Sequence, residues 1–118
     1  MEKIGEIKIL GTPYELYVDH DKENPKMRGG HAYVELWSKK IVFAPHESDS
    51  RTIESLFEYA FALIRHEVIH AMFHECGLTT YGYGDNEVLV EWLAQKIPQL
   101  HQACKDATDI VGSHLIKN

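Results

Sequence analysis

Residues 66–70 read His66-Glu67-Val68-Ile69-His70. On a helix, residues four apart stand one above the other, so the two imidazoles can reach one divalent ion at about 2.0–2.1 Å from each nitrogen. Glu67 is turned by about 100° from His66. That offset sets its carboxylate beside the ion, where a general base can reach a water without taking the water's coordination position. A catalytic zinc takes three protein ligands, so a third is required. The segment Asn86-Glu87-Val88-Leu89-Val90-Glu91-Trp92 offers two carboxylates four residues apart. The economical assignment has Glu87 bind the metal and Glu91 accept a hydrogen bond from the far ring nitrogen of one histidine. His74 is an alternative third ligand, but imidazoles on three consecutive turns of a nearly straight helix converge poorly on one tetrahedral ion. Iron, cobalt and nickel also accept such a donor set.

The elements that must carry these residues can be read from apolar periodicity. Ile53, Leu56, Phe57, Ala60, Ile64, Val68, Ala71 and Met72 recur every three or four positions, predicting a long helix from about Ser50 to Cys76. Asp49 or Ser50 can cap its start, and Gly77 can end it in a left-handed conformation. Leu78 to Gly84 reads as a turn-rich loop. A second helix is expected from about Asp85, its N-cap, to Leu100, with Val88, Leu89, Trp92, Leu93 and Ile97 supplying apolar surface. Pro98 should kink or end that helix, leaving His101 to Ile116 as a third. Upstream, Ile4–Leu10 and Tyr14–Val18 alternate around Gly11-Thr12-Pro13. His31–Ser38 and Ile41–Ala44 flank Lys39-Lys40 and stop at Pro45. Both pairs read as β-hairpins, joined by an aperiodic loop from Asp19 to Gly30. Trp92, Phe57 and Phe61 are assigned to the core.

With 118 residues and 44% apolar content, the chain suits one domain spanning 1–118. Its charge of -6, from 18 acidic and 12 basic residues, and its lack of a Lys/Arg cluster argue against nucleic acid as a partner. No apolar run approaches the roughly 20 residues that span a bilayer, and Met1-Glu2-Lys3 leads straight into a strand pattern, which predicts a cytoplasmic protein without a membrane partner. Cys76 and Cys104 have no paired spacing and are expected as buried or partly buried free thiols. Eight histidines are many for such a chain and favour coordination chemistry. His20, His31, His46 and His114 have no partner spacing and are read as surface or loop residues.

The two motifs together resemble the gluzincin clan of metallopeptidases, in which a His-Glu-x-x-His helix is followed by Asn-Glu-x-x-x-Asp. Asn86, Glu87 and Glu91 match the second motif, with Glu at its last position. More closely, Arg65-His66-Glu67-Val68-Ile69-His70-Ala71 with Asn86-Glu87 and Val90-Glu91-Trp92 is similar to the small phage and prophage proteins of the ImmA/IrrE-like zincin group. The resemblance covers residues 40–98. It implies an α+β, zincin-like fold: a small twisted antiparallel sheet packed on the His-Glu-x-x-His helix, plus a second, ligand-bearing helix. One Zn2+ would lie in a cleft beneath an edge strand, with Ile41–Ala44 the candidate edge for a substrate peptide. The implied activity is that of an endopeptidase, with Glu67 as general base, acting on a protein or peptide such as a phage or host regulator. Larger members add a Tyr or His that holds the oxyanion; Tyr81, Tyr83 and His101 are the candidates here. The alternative is a non-catalytic zinc-binding regulatory or protein-interaction module.

Overall fold

A computed structural model describes residues 1–21, 24–27, 31–44, 53–78 and 86–117. Strand β1 (Glu2–Ile9) turns through Leu10 and Gly11 into β2 (Thr12–Val18). Both turn residues have positive φ, 50° and 86°, the pairing that matches a tight turn to the twist of its strands. After a single 3-10 turn (Pro25–Met27) come β3 (Ala32–Glu35) and β4 (Lys40–Phe43), then helices α1 (Ile53–Glu75) and α2 (Glu87–Lys117). The protein is therefore α+β. Pro45, His46, the caps Asp49 and Ser50, the loop from Thr79 to Gly84 with Tyr81 and Tyr83, and Asp85 lie outside the described residues.

The sheet corrects the sequence-based expectation in two ways. Its order is β1-β2-β4-β3, and it is mixed: both hairpins are antiparallel, but β2 and β4 pair in parallel, Glu15 opposite Lys40 through Val18 opposite Phe43. The chain leaving β2 passes over one strand position, lays down β3 outermost, and returns with β4 into the gap. The edge strand is thus β3, and Ile41–Ala44 runs through the interior. Ile41 and Val42, on opposite faces, are 0% and 1% exposed. A strand buried on both faces needs a continuous apolar run, which Ile41-Val42-Phe43 supplies and Ala32-Tyr33-Val34-Glu35 does not.

One layer of core lies between the sheet and α1, where Ile9, Tyr14, Ile41 and Ala71 are buried. Behind it, Lys39 at 2.7 Å and the Tyr14 hydroxyl at 2.9 Å both donate to Glu75, and they hold its carboxyl down to about 2. A second layer joins α1 to α2 through Ile69, Phe73, Val90 and Ala94. On the other face of the sheet, Met27 closes over Val42 and Ala44. Gly77, at φ 82°, ends α1, its amide bonded to the His74 carbonyl at 3.2 Å.

Helix α2 runs unbroken through Pro98, so the separate third helix is its continuation. Its N-cap is Asn86, whose Oδ1 accepts from the Leu89 amide at 3.0 Å. Leu89, Leu93 and Ile97 pack towards α1, whereas Val88 and Trp92 fall on the opposite side of α2 and are exposed. Phe57 and Phe61 are also exposed, their rings stacked with centroids 6.3 Å apart. The core assignment of these aromatics is corrected: among the described residues, the buried α1 positions lie in its C-terminal half and the buried α2 positions in its first turns. Cys76 and Cys104 are both exposed free thiols. Among the described residues, no helix is long and apolar enough to cross a membrane.

Candidate metal centre

Three faces of α1 are used at once. Val68 and Ala71 meet the sheet, Ile69 and Phe73 meet α2, and between them His66 and His70 point into the angle between α1 and the first turn of α2. Their Nε2 atoms are 3.2 Å apart. Glu87, the first residue of α2, reaches both: Oε2 is 2.9 Å from His66 Nε2 and Oε1 is 2.8 Å from His70 Nε2. Donor atoms of His66, His70 and Glu87 all lie within 4.8 Å of one another. Glu91, one turn on, faces the other side of His66, with Oε2 2.8 Å from Nδ1.

Proton counting tests whether this donor set suits a cation. A neutral imidazole carries one N–H. If His66 donates Nδ1–H to Glu91, its Nε2 presents a lone pair to the Glu87 carboxylate at 2.9 Å. Lone pairs converging at that distance call for positive charge between them, from an added proton or from a metal ion. Two imidazoles and one carboxylate form a donor set of catalytic zinc, whose tetrahedral shell spaces ligand atoms by ~3.4 Å. The observed spacings, 2.8–3.2 Å, need only a few tenths of an ångström of relaxation. The residues present fit the ion.

Glu67 lines the same cleft and belongs to none of these contacts. Burial pushes its carboxyl above the ordinary carboxylate range; His66 and His70 pull it back, and Glu87 adds to the rise. The cleft, about 850 Å³, lies between this centre and β3 with the turn that follows it, and Ala32, Val34, Leu36 and Trp37 form its far wall. Ala44 donates to the His31 carbonyl at 2.8 Å, which fixes the alternation of the β3–β4 ladder: Tyr33 and Glu35 bond to β4, and Ala32 and Val34 turn their amides and carbonyls to the open edge.

His74 and His101 are not brought to the site. His74 packs edge-to-face on Trp37, with ring centroids 5.4 Å apart, and His101 is exposed on α2 beyond Pro98. His31 lies against Tyr59, 2.9 Å from its hydroxyl.

Two residues escaped the sequence reading. Trp37 was one, although a lone indole in a polar turn is a signal. Arg65 was the other. Pro98 has no N–H to give the Ala94 carbonyl, four residues back, and Ala94 is buried. Arg65 Nε donates to that carbonyl at 2.9 Å. The bond lets α2 continue past its proline and ties it to α1 one residue before His66. Arg65→Met should destabilise the protein by roughly 2 kcal/mol in urea melts, since a charged donor is lost and a buried acceptor is left bare. In a Pro98→Ala background the cost should shrink, because Ala at 98 restores the missing amide. Equal costs in both backgrounds would show that Arg65 does not serve this carbonyl.

Comparison with protein-family models, with curated proteins and with solved structures gave no match.

Proposed function

We propose that the chain is a zinc-dependent endopeptidase of the gluzincin type. The observation that carries this reading is the joint opening of Glu67 and the His66/His70/Glu87 cluster onto one cleft walled by an edge strand. His66, His70 and Glu87 hold the ion, and Glu91 keeps the proton of His66 on Nδ1 so that Nε2 is free to coordinate. When bound, zinc supplies Lewis acidity, polarising a carbonyl oxygen and acidifying water. An extended peptide pairs with the outward groups of Ala32 and Val34, which fixes its backbone along the cleft. Glu67 takes a proton from the attacking water as its oxygen joins the carbonyl carbon. The same carboxyl then gives that proton to the departing amide nitrogen as the C–N bond breaks. A protein or peptide, such as a phage or host regulator, is the matching substrate class.

Incubating the zinc-loaded protein with a peptide mixture and labelling new N-termini for mass spectrometry tests the reading. New termini should appear, vanish with a zinc chelator such as 1,10-phenanthroline, and return when zinc is restored. Stoichiometric zinc without any new termini would end it.

A further inference from the structure

Trp37 is 90% exposed, in the turn that leaves β3, while its neighbour Leu36 packs on the core between sheet and α1. An indole so placed contributes almost nothing to folding. It lines the same cleft as His66, Glu67, His70 and Glu87. It is not adrift there: His74, one turn beyond His70 on α1, meets its ring at 79° with centroids 5.4 Å apart, an edge-to-face contact. We propose that Trp37, braced by His74, is a substrate side-chain site that selects a bulky apolar residue, aromatic or branched aliphatic, in the extended peptide. The inference rests on the peptidase reading above.

Two features favour an apolar side chain over a cationic one. The other charged groups on this wall, Lys26 and Glu35, are paired with each other, so Glu35 is not free to draw a lysine or arginine. The cleft lining on the indole's side also holds the apolar side chains of Ala32, Val34 and Leu36. A peptide laid along β3 lies in the cleft that Trp37 shares with His66 and His70, so one of its side chains covers the indole as its backbone pairs. Covering a large, rigid ring is a strong source of binding selectivity.

The test uses internally quenched peptides scanned with Phe, Leu, Lys or Gly at each of three positions on either side of the cleaved bond, with wild type, Trp37→Ala and Trp37→Phe. At one position wild type should prefer Phe and Leu. In Trp37→Ala the KM for those peptides should rise by roughly 10- to 100-fold with kcat little changed, the Gly peptide should be unaffected, and Trp37→Phe should retain most of the preference. Isothermal titration of the same peptides into zinc-loaded Glu67→Gln, with and without Trp37→Ala, should give a parallel change in Kd. Zinc content and melting should stay at wild-type values, because the indole is exposed. An unchanged apolar preference in an active Trp37→Ala overturns this inference and leaves the peptidase reading standing, as does a wild-type preference for Lys. No cleavage of any peptide by zinc-loaded wild type, together with no binding to the Glu67→Gln protein, overturns both.

Discussion

Glu67→Gln should lower kcat by roughly 10²- to 10⁴-fold, about 3–5 kcal/mol of barrier, while zinc content and melting hold. Gln has the size and much of the hydrogen-bonding capacity of Glu but cannot take a proton, so the change removes the base and little else. The metal should stay because Glu67 is outside the group formed by His66, His70 and Glu87. The fold should not weaken, and relief of the carboxyl's burial even favours the neutral amide. Peptide hydrolysis and zinc content are to be measured on the same preparation. The pairing separates the two readings of the site. In a non-catalytic module, where the ion only clamps α1 to α2, the substitution would change nothing, and a Glu67→Gln protein as active as wild type would remove Glu67 from the mechanism.

What could be read in advance was local. His66 and His70 share a helix face because of the pitch of the helix alone, and Glu87 and Glu91 share one for the same reason. The two hairpins follow from alternation in Ile4–Leu10 and Tyr14–Val18 and from the turns between short strands. The parallel pairing of β2 with β4 is non-local, set by how the chain between the hairpins crosses the sheet, and no period in the sequence encodes that path. One hint was available: Ile41-Val42-Phe43 does not alternate, and an uninterrupted apolar run belongs at the centre of a sheet. The segment read as an edge is an interior strand, and β3 takes the edge.

Pro98 shows a general rule overruled by one tertiary contact. Without a partner for the Ala94 carbonyl, the proline would be expected to break α2; with Arg65 supplying the bond, the helix continues to Lys117. Nothing in the spacing of Arg65 and Pro98 announces that they act on the same peptide group. Phe57, Phe61 and Trp92 mark the complementary limit. Periodicity identifies an apolar stripe on a helix but not how far along that stripe another element extends, and here all three rings stay exposed.

The order of metal affinities is the second large effect: wild type, then Glu91→Gln, then Glu87→Ala. Of the three clustered residues, Glu91 meets His66 at its far nitrogen, and removing such a partner costs roughly 10- to 100-fold in affinity because ring orientation and basicity are lost while every ligand remains. Glu87 contacts both Nε2 atoms and brings the negative charge that offsets the ion. Its loss leaves two neutral imidazoles, so the fall should exceed the ~100-fold ceiling of the Glu91 change. The helix that carries it should survive, since Asn86 still caps its start and an acidic residue in the first turn contributes only about 0.3–1 kcal/mol. Competition with a chromogenic chelator at one fixed pH gives the three values, the pH being held because ligands must shed protons to bind. Glu91→Gln weaker than Glu87→Ala would make Glu91 the ligand and Glu87 its support. Wild-type affinity in Glu87→Ala would mean that the carboxylate poised 2.8 Å from His70 is a hydrogen-bond partner of the histidines and no part of a metal shell.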